Sequence, residues 1–155
     1  MKSAIWIFIV LNILILVSVI SYVILKYPEL PEIIPTHFGA GGVADGFGNK
    51  NMIWLEVGIN VAIYALLTYL SNKPQYFNMP DEMKANTPLI KLFAHVMCFV
   101  LMILFANLTY ETIEIALGNA VKLSSNMWLF LGLLFLVLIG FLAYSSYSTP
   151  QKKSA

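Results

Sequence analysis

Four runs of the chain are almost free of charge, residues 5–25, 53–70, 89–110 and 127–147, and the polar residues gather between them. Each run is close to the roughly 20 residues that carry a helix across about 30 Å of hydrocarbon. Strands of a β-barrel would need half that length and would alternate apolar with polar positions, which these runs do not. The pattern therefore predicts an all-α integral membrane protein, one domain over residues 1–155 built as an up-down-up-down bundle of four transmembrane helices. The interval 26–52 breaks the pattern. Pro28, Pro31 and Pro35 deny it a regular helix, and Gly39, Gly41, Gly42, Gly46 and Gly48 permit the positive φ of tight turns. It predicts an ordered extracytoplasmic loop between helices 1 and 2. Extended chain first packs Leu30, Ile33 and Ile34 back onto the bundle; turns follow, with a short hairpin around residues 44–49.

Polar positions inside the runs indicate which faces turn inward. In the first run Asn12, Ser18 and Ser21 are the small or polar types that helix contacts in lipid use, with Asn12 expected to bond across helices. Glu56, Asn60 and Tyr64 stand four residues apart and so form one stripe facing the bundle. Glu111 lies about 30 Å beyond Lys91 along a helix axis, level with Glu56, while Asn107 and Asn60 each lie a turn deeper. Two matched acid-amide pairs are thus expected, with Glu114 wetter and His95 bonding between helices near the opposite end. The last run has no charge or amide; Gly132 and Gly140 there allow close helix contact. Tyr22, Tyr27, Trp128, Tyr144 and Tyr147 suit membrane boundaries. The interval between runs two and three reads as a solvated connector with a short amphipathic turn around residues 81–85.

Composition agrees with the pattern, because a chain 59% hydrophobic and 11% charged cannot coat a soluble globule. All nine basic residues are lysines, and they set the orientation. With both termini cytoplasmic, Lys2, Lys73, Lys84, Lys91, Lys152 and Lys153 lie inside against Lys26, Lys50 and Lys122 outside. The first run is too long for a removable signal and lacks a small-x-small cleavage site. Cys98 is the sole cysteine and falls inside a run, which leaves no intrachain disulfide or thiolate metal cluster and suits a small apolar filler. No basic stripe exists for nucleic acid.

The candidate chemistry lies at the loop and at the ends of runs two and three. His37, Phe38, Asp45 and Lys50 are the loop side chains placed to touch a ligand, with Lys50 a partner for a nearby carboxylate or headgroup. His37, Asp45 and Glu111 are the ligand types of a divalent metal ion, though no H-E-x-x-H or C-x-x-C spacing fixes their geometry. The glycines do not form a phosphate loop, since no Gly-Lys-Ser/Thr ending follows them.

The run Ile34, Pro35, Thr36, His37, Phe38, followed by Gly42, Asp45, Gly46 and Lys50 and preceded by Pro28, Leu30 and Pro31, resembles a bacterial membrane family, the domain of unknown function sixteen-forty-eight. That domain also forms the N-terminal part of Sdp-type bacteriocin immunity proteins. Tyr76, Phe77, Asn78, Pro80 and Asn86 fit it too, and the likeness covers roughly residues 4–109. An amide commonly follows the His-Phe pair in that family, where Gly39 stands here, and the immunity proteins continue into a further membrane domain. The resemblance implies a family and a topology in the plasma membrane, with no catalytic residues.

The expected function is a non-enzymatic, immunity-like membrane protein that binds a peptide toxin or a partner membrane protein at its outer loop and bundle mouth. His37, Phe38, Asp45, Lys50, Glu56, Asn60, Asn107 and Glu111 carry it. One alternative is a small proton- or cation-coupled transporter using Glu56, Asn60, Asn107 and Glu111, which with so few spans would need a homo-oligomer. The other is an outer-surface metal-binding protein or metal-assisted hydrolase, for which the chain offers no evident nucleophile.

Overall fold

The computed structural model describes residues 1–77 and 81–148. Asn78 and Pro80 of the second motif, and Lys152 and Lys153 of the charge argument, lie outside them. The described residues form five α-helices, α1 (Lys2–Lys26), α2 (Ile53–Ser71), α3 (Asp81–Ala85), α4 (Thr87–Ala116) and α5 (Asn126–Ser148), with strands β1 (Ile33–Phe38) and β2 (Ala44–Asn49). Of these α1, α2, α4 and α5 are long and apolar enough to cross a membrane, and α3 forms where the short amphipathic turn was expected. The fold is therefore mainly helical but not all-α, because β1 and β2 pair as an antiparallel sheet.

Helix α4 is the element on which the others assemble, packing against α1, α2, α5 and β1. It starts behind Asn86, whose Oδ1 accepts the Leu89 N–H at 3.3 Å, and Pro88 in its first turn lacks the N–H that would otherwise need a partner. It stops at Gly118, which takes φ +78°. The helix thus runs past residue 110 and keeps Glu111 and Glu114 on its faces.

At one end of the bundle α1 finishes, α2 begins and α4 finishes, and the hairpin closes that end. Val19 and Val23 of α1, Leu30, Ile34 of β1, Ile53 and Val57 of α2 and Ile113 of α4 form one buried cluster. Each such side chain contributes about 1.5–3 kcal/mol when fully removed from water. Leu30 and Ile34 pack inward as expected, but Ile33 is 59% exposed. Successive residues of a strand point to opposite faces, so the two isoleucines cannot both turn in.

The hairpin is longer than its sequence suggested. Residues 44–49 are the whole second strand rather than a turn, paired with β1 from Ile33↔Asn49 to Phe38↔Ala44. The reversal is made by Gly39–Val43, where the Gly39 N–H donates to Val43 O at 3.0 Å and Gly42 N–H to Gly39 O at 2.8 Å. Of the five loop glycines Gly42 alone takes a positive φ, +75°. Gly46 serves by its size instead: a Cβ there would lie 2.9 Å from the Cβ of His37 across the pair.

Contacts within the bundle meet expectation at Asn12 and depart from it elsewhere. Asn12 is fully buried and its Nδ2 donates to the main-chain oxygen of His95 at 3.2 Å, as an interhelical bonder should. On the imidazole of His95, Nδ1 is buried without a partner among the described residues. Ser18 and Ser21 face outward. Gly132 and Gly140 meet nothing within 4 Å, so α5 is held to α4 by side chains such as Phe93 and Phe141, stacked at 3.6 Å, rather than by close backbones.

Candidate functional site

The hairpin presents its polar pair on the exposed side. Bulges between Pro35 and Phe38 bring His37 beside Asp45, and His37 Nδ1 lies 2.5 Å from Asp45 Oδ1 with both side chains more than half exposed. An exposed pair of this kind adds at most about 1 kcal/mol to the pairing of the strands. Lys50 works at the base of the loop. Its Nζ reaches Glu32 Oε1 at 2.8 Å, its N–H donates to Glu32 O at 3.0 Å, and it sits 5.4 Å above the ring of Tyr27. The hydroxyl of Tyr27 in turn donates to Asn51. The expected carboxylate partner of Lys50 is thus Glu32, and the loop is cinched where it leaves and re-enters the bundle.

The acids are divided between different partners. Glu56 lies in the seam of α2 and α4, where Oε1 accepts from the Thr112 hydroxyl at 3.3 Å and Oε2 is buried with no partner among the described residues. Glu111, 7% exposed, turns away from that seam. It accepts from Asn107 Nδ2 at 3.0 Å, from the Ser124 N–H at 2.7 Å and from the Ser124 hydroxyl. Residues 111 and 112 differ by about 100° around a helix, which is why one of them faces α2 while the other faces the linker to α5. The matched acid-amide pairs are therefore realised once. Asn107 bonds the carboxylate of Glu111, whereas Asn60 donates at 3.4 Å to the main-chain oxygen of Glu56 and its own Oδ1 has no partner among the described residues. Glu114, expected to be wetter, is less buried than Glu111 and accepts from Tyr22 at 2.8 Å and from Asn119 at 3.0 Å.

Among the described residues no three His, Cys, Asp or Glu side chains converge as a metal ion would require. The set His37, Asp45 and Glu111 is thus not assembled: the first two meet on the hairpin, and the third is engaged by Asn107 and Ser124.

What the sequence reading missed is the linker between α4 and α5. The Leu123 N–H donates to Gly42 O at 2.8 Å, which clamps the hairpin tip onto the linker, and Glu111 anchors the linker from below through Ser124. Between the tip, the linker and α5 runs a groove of about 540 Å³, lined by Phe38, Leu104, Leu123, Met127, Trp128 and Leu131 together with residues 39–42, Lys122, Ser124 and Ser125. Phe38 belongs to this groove; His37 and Lys50 lie outside its lining. A signal was available, because Ser124, Ser125 and Asn126 before an apolar run mark a helix start, and the Ser125 carbonyl does accept the first bonds of α5.

Residues 13–61 match the family model described as Domain of unknown function (DUF1648). The matched stretch holds most of α1, the whole hairpin and the start of α2, and is shorter than the expected 4–109. An uncharacterized protein of Archaeoglobus fulgidus is 35% identical over 78 residues, 45% of this chain and 43% of the relative. The chain thus spans less than half the length of the relative it matches, and a likeness reaching an archaeon is not confined to bacteria. No solved structure matches.

Proposed function

We propose that this is a non-enzymatic membrane protein of the cell membrane that binds a peptide, a toxin or a partner protein at the hairpin and the adjoining mouth of the bundle. In this reading the four long helices run up-down-up-down, the hairpin is extracytoplasmic and both termini are cytoplasmic. The groove beside the hairpin tip carries the proposal. A mainly apolar trough with Lys122, Ser124 and Ser125 among its lining suits a short, largely apolar peptide that carries a carboxylate or a few polar groups. The resemblance of the loop motif to the N-terminal part of immunity proteins, drawn from the sequence, favours the same occupant. His37 and Asp45, exposed on the hairpin, supply polar contacts beside the trough, and Trp128 supplies an aromatic anchor of the kind that dominates binding surfaces.

The test is protection. A sensitive bacterial host producing the full chain is challenged with membrane-active killing peptides, alongside hosts producing Trp128→Ala and the double variant His37→Ala, Asp45→Ala. Loss of protection in variants that insert at wild-type level supports the reading. Full protection by both variants removes it.

A second reading rests on Glu56 and Asn60. Their unpaired buried oxygens, Oε2 and Oδ1, lie one turn apart in a seam between two long helices, and oxygens so placed can seat a proton or a small cation. Glu111 and Asn107, which the carrier alternative also used, already bond each other. Proton or cation flux in liposomes should then be lost in Glu56→Gln and kept in Asn107→Ala; flux indifferent to Glu56→Gln ends this reading.

A further inference from the structure

At the end of the bundle opposite the hairpin, the start of α1, the end of α2 and the start of α4 enclose a second cavity, of about 380 Å³. Lys2, Lys91, His95, Thr68 and Asn72 are among its lining residues, together with the first turn of α4, and no acid lines it among the described residues. Neither lysine makes an ion pair there among the described residues. Two of its lining residues hold a buried polar atom with no partner among the described residues, Nδ1 of His95, a residue only 3% exposed, and the hydroxyl of Thr68. Burying such groups unpaired costs free energy that a bound ligand or water returns. Asn72 is partly committed, donating to Thr68 O at 3.0 Å.

We infer that this cavity binds a phosphate group. Two ammonium groups supply charge, and the lining residues Thr68 and His95 hold unpartnered groups that can donate to a ligand. The N-terminal turn of α4 adds the positive end of a 30-residue helix. Indole and aliphatic side chains from Trp6, Ile5 and Ile9 complete the wall, which gives the pocket one charged side and one apolar side. A basic pocket between membrane helices, apolar on its other wall, fits the headgroup of an anionic phospholipid, and the same donors would hold a free phosphate.

The full chain, stripped of lipid in a neutral detergent, is titrated with phosphatidylglycerol, phosphatidylcholine or inorganic phosphate. Tryptophan fluorescence, to which Trp6 in the wall contributes, and the unfolding midpoint are read. The expected result is saturable binding of phosphatidylglycerol without a matching response to phosphatidylcholine. The apparent Kd should rise about five-fold in Lys91→Gln and again in Lys2→Gln. Thr68→Val should weaken binding with the fold intact, which covers the case where a His95 variant does not fold. Lys73→Gln is the control, because Lys73 lies at the same end outside the cavity with its amine 6.0 Å from the ring of Tyr69. Saturable binding of inorganic phosphate that Lys91→Gln also weakens assigns the site to the free anion. An equal response to phosphatidylcholine, the absence of any saturable response, or equal weakening by Lys73→Gln overturns the inference.

Discussion

Gly42 carries two constraints at once. Its φ of +75° is disfavoured for any residue with a Cβ, and a Cβ built there would meet the Cβ and the main-chain oxygen of Leu123 at 3.2 Å. Gly42→Ala should therefore weaken the hairpin tip by about 1–3 kcal/mol and release the clamp on the linker. The readout is hydrogen exchange of the Leu123 amide, which donates to Gly42 O and should exchange faster in the variant. Gly41→Ala, where nothing lies within 4 Å, should leave that amide protected. Composition alone could not separate these two neighbours. Five glycines between prolines announce a turn-rich loop, but which of them takes the left-handed conformation depends on where the strands pair, and that register is fixed by the burial of Ile34 and Leu30.

At the scale of elements, the linker between α4 and α5 owes its position to one carboxylate. Glu111 takes the N–H and the hydroxyl of Ser124, and the hydroxyl oxygen of Ser124 accepts the Asn126 N–H at 3.2 Å at the start of α5. Glu111→Ala removes the acceptor and leaves a main-chain donor in a half-buried place, so it should cost about 1–3 kcal/mol, read as a lower unfolding midpoint in detergent. Because Leu123 is the residue that holds the hairpin tip, the same variant should also quicken exchange at Gly42 and its neighbours; a stability loss without that effect would show that linker and hairpin are not coupled. The four long helices were legible from hydropathy to within a few residues at most ends, since a run of apolar residues leaves the backbone no other way to satisfy its hydrogen bonds in hydrocarbon. The partners of the acids were not legible. Height along the helices correctly put Glu111 near the hairpin end, but the facing of a side chain turns by about 100° per residue, and that rotation gave Glu56 to Thr112 and Glu111 to Ser124.

For the whole molecule the proposed topology makes a sharp prediction about which end faces the cytosol. Cys98 is fully buried beside Met102, so a cysteine introduced at the surface reports without interference from the native thiol. Val43, 54% exposed at the hairpin tip, and Tyr76, 63% exposed in the connector after α2, mark the two ends of the bundle. In intact cells a membrane-impermeant maleimide should label Val43→Cys and should reach Tyr76→Cys only after permeabilisation. The lysines are the physical reason, with Lys73, Lys84 and Lys91 flanking the connector end against Lys26, Lys50 and Lys122 toward the hairpin, and the hairpin end also holding most of the acids. The same orientation sets the two sites apart in kind. It turns the apolar groove toward whatever peptide arrives from outside, and it places the lysine-lined cavity in the leaflet whose surface carries the anionic phospholipids it would hold. Labelling in the reverse pattern would leave the groove facing the cytosol and contradict the proposed function, while the affinity of the cavity for a phosphate group in detergent would be untouched.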